Sequence, residues 1–231
     1  METGFYEDKH VTGHGFDAGS SIGSRPGAFL DSQAGDVSVS SVKVPRADIL
    51  AGPTSLPAAD ICHVQLPCSP EALATLHVGQ ELLLTGRLFT MRDAGHRRCL
   101  EYLEKYGQLP FDLVGESLFY AGPTPSAAGR PFGAIGPTTA ARMDFAAPQL
   151  YQAGIRVTLG KGRRSAAVAE ACTQTGSVYL TTVGGAASFL AKQVTQAELI
   201  AWGDLGPEAL YRLEVFEFLA FVAIDSQGRQ L

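Results

Sequence analysis

From about residue 60 to the end of the chain, short apolar runs with strand-like alternation take turns with segments of helical periodicity. The predicted strands are QELLLTGRLFTMR (80–92), SLFYAG, FGAIG, RVTLG, VYLTTV, ELIAWGDL and LAFVAID. The predicted helices run from Asp93 to Gly107, from Thr138 or Thr139 to about Ala153, from Ser165 onward, from Gly184-Gly185 to about Lys192, and over PEALYRLEV. This alternation is typical of an α/β domain.

Residues 1 to about 45 have a different texture, because they are rich in Gly, Ser, Asp and His and carry little apolar periodicity. Such a composition predicts a flexible tail. His10 and His14 lie in this segment, where solvated histidines are the expected case. The predicted organisation is therefore a tail over 1–45 and a single globular α/β domain over 60–231.

The composition predicts a folded protein, with 45% hydrophobic and 18% charged residues in a chain of 231. The formal net charge of −5 offers no overall basic surface for nucleic acid. No apolar run approaches the length of a membrane span, and METGFYEDKH lacks the apolar stretch of a secretory signal. A cytoplasmic protein that binds neither membrane nor nucleic acid is the expectation.

The four cysteines, Cys62, Cys68, Cys99 and Cys172, form no C-x-x-C pair. Their spacing does not match a zinc or iron–sulfur pattern. We expect reduced thiols and no metal ligated by this chain.

Candidate chemistry lies at four strand-to-helix junctions, TMRDAGH, IGPTTAARMD, LGKGRRS and VGGAAS. The first N–H groups of a helix lack internal partners and favour anions. Three junctions also carry a cation, namely Arg92, Arg142 and Lys161. Together they would suit a small acid with two negative charges. Each junction alone is equally typical of a surface ion pair, a turn or a basic loop, so these patterns predict an α/β domain with a candidate anion site.

Six motifs in one order carry a resemblance to a known family: LTGRLFTMRDAGHRR (84–98), FYAGPTP (119–125), IGPTTAARMD (135–144), LGKGRRS (159–165), VGGAASFLAK (183–192) and DLGPEALYRLEV (204–215). From about residue 60 onward the chain resembles the class I fumarase and L-tartrate dehydratase β-subunit family. The resemblance implies a swivelling β/β/α domain. It also implies a partner, an α subunit that binds a 4Fe–4S cluster through its own cysteines, usually in a heterotetramer of two α and two β subunits (α₂β₂).

The resemblance implies roles for five residues. Arg92 would grip a substrate carboxylate, and Arg142 and Lys161 would supply further cationic contacts. Thr138 would touch the region of the reacting carbon and is a candidate for proton transfer. His96 is expected to have a proton-transfer or electrostatic role.

Three more residues are expected to support these five without contacting the substrate. Asp93 would orient Arg92 or cap the following helix, Asp144 would pair with a cation, and Thr139 would support the site from the second layer.

The implied activity is the reversible hydration of a four-carbon dicarboxylate, with fumarate and (S)-malate favoured as substrates. The alternative is the β subunit of L-tartrate dehydratase, which converts tartrate to oxaloacetate. A third interpretation, from another class, is a non-catalytic dicarboxylate-binding or assembly module. Since both substrates are four-carbon diacids, the cations alone do not discriminate between them.

Overall fold

The computed structural model describes residues 61–125, 131 and 133–231, and the tail predicted over 1–45 lies outside these residues. The strands are β1 (Cys62–Leu66), β2 (Glu81–Thr90), β3 (Ser117–Phe119), β4 (Val157–Gly160), β5 (Val178–Thr181), β6 (Val194–Ala201) and β7 (Leu210–Ile224). The α-helices are α1 (Pro70–Thr75), α2 (Asp93–Tyr106), α3 (Ala147–Gln152), α4 (Ala166–Thr175) and α5 (Ala187–Lys192). Two 3₁₀ helices cover Ala140–Met143 and Gly203–Glu208. The predicted α/β class is confirmed.

The strands form one mixed sheet in the order β1-β2-β3-β4-β5-β7-β6. Strands β1 to β5 pair in parallel, whereas β7 runs antiparallel to β2, β5 and β6. An additional pairing between β2 and β7 closes the sheet on itself. Among the described residues, no helix has both the length and the apolar character to cross a membrane.

The predicted helix over PEALYRLEV is wrong. Its first residues belong to the 3₁₀ helix Gly203–Glu208, and the rest begins β7, a 15-residue strand. Leu213 and Val215 are buried on either side of Glu214, which is the period of a strand. The backbone of this part of β7 pairs with β6 on one edge and β2 on the other, and this pairing overrides the helix-start signal of Pro207.

Two other predicted elements differ from those in the structure. Residues 133–136 of the predicted FGAIG strand form no strand, and Pro137 instead makes an isolated bridge to Ala121. The helix predicted to run to Ala153 is divided into the 3₁₀ helix Ala140–Met143 and α3. Pro148 explains the division, because a residue without an N–H fits the first turn of a new helix better than a helix interior.

In the part of the chain that the structure describes, two hydrophobic clusters form the core, and the alternation of β3 shows how they are divided. Phe119 packs with Leu84, Leu159 and Phe218 in a cluster that joins the sheet to helices α1 and α5. Leu118 points to the opposite face, where a second cluster joins the sheet to helices α2, α3 and α4. Burial on both faces accounts for the continuously apolar strands in the sequence.

The parallel direction of β2, β3, β4 and β5 places their carboxyl ends at one edge of the sheet. Each strand runs directly into one of the recognised motifs: RDAGH after β2, YAGP after β3, KG after β4 and TVGG after β5. In α/β sheets this is the edge at which ligands bind.

Candidate active site

Arg92 occupies a narrow slot at the end of β2, where it is the N-cap residue of α2. A Cβ atom on Gly122 would lie 2.9 Å from both Cδ and Nη1 of Arg92, and 3.1 Å from the carbonyl oxygen of Pro207. On another side, Nη2 of Arg92 lies 3.7 Å from Oε1 of Glu208. The guanidinium is therefore confined by the turn after β3 and by the segment before β7.

Asp93 pairs with Arg142, which the sequence analysis did not foresee. Arg142 donates from Nε to Oδ1 of Asp93 at 3.1 Å and from Nη2 to Oδ2 at 2.8 Å. The first-turn N–H of Ala94 is capped by Oε2 of Glu208 at 2.7 Å rather than by Asp93. The two-point contact joins the start of α2 to the 3₁₀ helix that carries Arg142.

Thr138 and Lys161 are brought together by backbone hydrogen bonds. The Thr138 N–H donates to the Tyr120 carbonyl at 2.6 Å, and the Lys161 N–H donates to the Thr138 carbonyl at 3.2 Å. Thr139 forms a parallel bridge with Lys161. Thr138 is half-buried, whereas Thr139 and Lys161 are exposed. The GPTT and GKG motifs thus form one surface at the ends of β3 and β4.

Gly160 makes this close approach feasible. A Cβ atom at this position would lie 3.0 Å from Cβ of Ala140 and 3.1 Å from Cδ2 of Tyr120. A larger residue would push the Thr138 segment away from Lys161. The small residue is therefore required by packing against the neighbouring loop.

His96 is fully buried beneath the site. Its Nδ1 lies 2.7 Å from the carbonyl oxygen of Arg92, so this nitrogen donates and carries the proton. Its ring meets that of Tyr120 edge to face, with the centroids 5.1 Å apart. Burial, aided by the nearby charge of Arg164, lowers the pKa of His96 to about 4, even though the contact with the Arg92 carbonyl acts in the opposite direction. The imidazole is therefore neutral at neutral pH.

Asp144 lies next to a buried cation, Arg164, whose side chain has no exposed surface. Arg164 donates from Nε to Oδ1 of Asp144 at 2.6 Å, and the Ser165 N–H donates to Oδ2 at 2.8 Å. The Arg164 guanidinium also lies over the rings of Tyr120 and Tyr179, at 5.2 and 4.8 Å. The pair fixes the segment after Arg142 to the beginning of α4.

Comparison with known proteins shows to which family the chain belongs. Residues 39–231 match the family model described as fumarase C-terminus. The chain belongs to the fumarase C-terminus family. The resemblance predicted from the sequence is confirmed.

Fumarate hydratases and a tartrate dehydratase subunit are among the relatives in this family. The chain is 38% identical over 158 residues to "Fumarate hydratase class I, anaerobic" of Escherichia coli, which covers 68% of this chain and 29% of that protein. It is 41% identical over 165 residues to "Fumarate hydratase 1, mitochondrial" of Leishmania major, covering 69% and 30%. It is 35% identical over 170 residues to "L(+)-tartrate dehydratase subunit beta" of Escherichia coli, covering 71% and 83%. The chain thus spans less than a third of the fumarate hydratases and most of the tartrate dehydratase subunit.

The cysteines of this family member do not fit a cluster site. All four are unpaired, and three are buried, Cys68, Cys99 and Cys172. Burial raises the pKa of Cys99 to about 12 and that of Cys172 to about 11, so both are protonated thiols at neutral pH. Within the described ranges, no group of three or more His, Cys, Asp and Glu side chains could hold a metal ion.

Three residues of the site were missed in the sequence analysis. Gly122 and Glu208 lie inside quoted motifs, YAGP and GPEAL, but nothing in the pattern shows that they enclose Arg92. Arg164 was treated as part of a basic loop. Its neighbour Arg163 is exposed, and no feature of the sequence distinguishes the two arginines.

Proposed function

We propose that this chain is the substrate-binding β subunit of an iron–sulfur hydro-lyase that reversibly hydrates a four-carbon dicarboxylate, with fumarate and (S)-malate as its substrates. The observation that carries the proposal is the direct coupling of the motif segments at one sheet edge. Arg142 is tied to Asp93 beside Arg92, and Thr138 is tied to Lys161. A short diacid has two carboxylates, and this edge presents three cations.

The cations retain donors for a ligand. A guanidinium has five N–H donors, and Arg142 directs two of them to Asp93. Lys161 is exposed and has three ammonium donors. Arg142 can therefore remain fixed by Asp93 and still bind a substrate carboxylate by two parallel hydrogen bonds.

The proposed chemistry needs positive charge beside a carboxylate. Removing a proton from the carbon next to a carboxylate places negative charge on its oxygens. Arg92, Arg142 and Lys161 would stabilise that charge, and losing one such contact costs about a hundredfold in rate. Thr138 Oγ1 is the candidate to contact the reacting carbon, although an unperturbed hydroxyl is a weak base and would need activation by these cations.

His96 supports the site in this proposal rather than transferring protons. Its burial and its contact with the Arg92 carbonyl favour a role in fixing the turn that presents Arg92. Three residues would support the substrate contacts without touching the substrate: Asp93, Thr139 and Asp144. Asp93 would do so through its pair with Arg142, and Asp144 through its pair with Arg164.

The 4Fe–4S cluster belongs to a partner α subunit in this proposal, since this chain's cysteines do not fit as ligands. The name of the tartrate dehydratase relative, subunit beta, supports an assembly with another subunit. A heterotetramer of two α and two β subunits is the proposed form.

Tartrate dehydration is the second candidate. The match to the tartrate dehydratase subunit extends over 83% of that protein, compared with 29% of the anaerobic fumarate hydratase. The same cations would bind the carboxylates of tartrate.

The test is anaerobic co-expression with a cluster-bearing partner, followed by assays on fumarate, malate and both tartrates. We expect fumarate and malate to be interconverted, and Arg142→Ala to lower turnover about a hundredfold while the cluster spectrum stays unchanged. Arg163→Ala is the matched control, because Arg163 is an exposed arginine two residues after Lys161. Near-normal turnover of Arg142→Ala with an intact cluster would contradict the proposal. Binding of dicarboxylates without any turnover would instead support the interpretation as a non-catalytic dicarboxylate-binding or assembly module.

A further inference from the structure

The 3₁₀ segment Gly203–Glu208 contacts the first turns of α2 through two carboxylates. Asp204 accepts hydrogen bonds from Nη1 and Nη2 of Arg98 at 2.8 and 2.9 Å. Glu208 accepts the Ala94 N–H through Oε2, and its Oε1 lies 3.7 Å from Nη2 of Arg92. The Asp204 carboxylate therefore holds the surface of α2, whereas the Glu208 carboxylate acts on the N-terminus of α2 and on Arg92.

The backbone around Glu208 is shaped to reach Arg92. Gly206 has φ 55° and ψ −122°, a combination that favours glycine, and it turns the chain within the segment. After this turn the Pro207 carbonyl oxygen lies beside Gly122, and the Glu208 side chain follows and faces Arg92. Arg92 and Glu208 each have 26% of their side-chain surface exposed, so the pair is partly shielded from solvent.

We infer that Glu208 is a positioning residue for Arg92, and that its charge aims the guanidinium at a substrate carboxylate. The inference rests on the proposed function for the identity of the ligand. A guanidinium that is held before the substrate arrives loses less freedom on binding, so the substrate binds more tightly in the productive geometry. Capping of α2 is a separate task of the same carboxylate, performed by its other oxygen.

Glu208→Gln separates the two tasks. An amide oxygen can still accept the Ala94 N–H, but the charge facing Arg92 is gone. In the chain assembled with its cluster-bearing partner, we expect Glu208→Gln to keep the wild-type Tm and to raise the KM for the dicarboxylate at least about threefold. Glu208→Ala should raise KM similarly and also lower Tm, since it removes the cap as well. Asp204→Asn is the control, and it should leave KM and kcat unchanged.

A second background tests whether Glu208 acts through Arg92. We expect Glu208→Gln to have little further effect on KM when combined with Arg92→Lys, because the guanidinium it positions is absent. An unchanged or lowered KM for Glu208→Gln, or an undiminished effect in the Arg92→Lys background, would overturn the inference. If Arg92→Lys itself has wild-type kinetics, the proposed role of Arg92 fails instead, so the two failures are distinguishable.

Discussion

Asp93 and Arg142, which are 49 residues apart, meet in a two-point hydrogen bond that joins the beginning of α2 to the 3₁₀ helix after GPTT. The contact places two motif segments side by side at the carboxyl edge of the sheet. Both side chains are partly exposed, Asp93 by 24% and Arg142 by 49%. An ion pair of this exposure adds little to stability, so we attribute to it the positioning of Arg142.

Asp93→Asn should therefore affect catalysis more than folding. The amide lacks the charge and the second acceptor that hold Arg142, and a misplaced ligand contact is expected to lower kcat/KM about tenfold or more. The unfolding free energy should change by less than about 1 kcal/mol. The measurements are steady-state kinetics of the assembled enzyme and urea denaturation. Wild-type kinetics for Asp93→Asn would show that Arg142 is held by other contacts.

Gly122→Ala tests the slot that holds Arg92. The added Cβ would lie 2.9 Å from two atoms of the flexible Arg92 side chain and 3.1 Å from the Pro207 carbonyl oxygen. We expect Arg92 to move and the Pro207 backbone to shift by a few tenths of an ångström, while the fold remains. The KM for the dicarboxylate should rise about tenfold.

Gly203→Ala is the matched control for Gly122→Ala. Its Cβ would meet the end of the exposed Leu199 side chain at 3.0 Å, away from Arg92. Equal KM values for the two variants would contradict the claim that the space beside Gly122 holds Arg92 in place.

His96→Asn tests the buried neutral imidazole. Because the folded protein holds the pKa of His96 at about 4, below its ordinary value of 6.5, the unfolded chain binds a proton first as the pH falls. The neutral ring makes its full contribution to the unfolding free energy above about pH 6.5. As the pH falls towards 4, the unfolding free energy decreases by about 3 kcal/mol in total. We expect urea denaturation at several pH values to show this loss in the wild type and a shallower one in His96→Asn.

His77→Asn is the control for His96→Asn, because His77 is exposed. It should retain the pH dependence of the wild type. The same slope in His96→Asn as in the wild type would contradict the assignment.

Arg164→Met should destabilise the domain strongly. The substitution leaves Asp144 without its cation and removes a guanidinium that packs between two tyrosine rings. Breaking a buried pair on one side costs about 3–5 kcal/mol, whereas the exposed Arg163→Met should change the unfolding free energy by less than about 0.5 kcal/mol. Thermal and urea unfolding would measure the difference. Equal stabilities for the two variants would show that the pair is not structural.

Local patterns were sufficient to predict much of the fold. Strand β2 and helix α2 follow from an apolar run and an acidic residue at the helix start, and β4 and β5 follow from short buried runs. The beginning of β7 could not be predicted, because LYRLEV fits both helical and alternating periods and pairing with β2 and β6 decides between them.

The candidate cations stand in recognisable local patterns, whereas the contacts that connect them to other residues do not. Arg92, Arg142 and Lys161 each stand at a strand-to-helix junction, which is a local signal. The contacts of Asp93 with Arg142 and of Glu208 with Arg92 join residues far apart in the chain, and the sequence has no feature that reports them.

A structure of this chain assembled with a cluster-bearing partner and a bound dicarboxylate tests the central claim most directly. We expect one carboxylate to lie within hydrogen-bond distance of Arg142. The rest of the ligand should contact Arg92, Thr138 and Lys161. A dicarboxylate bound elsewhere, with these four side chains contacting none of its atoms, would contradict the account.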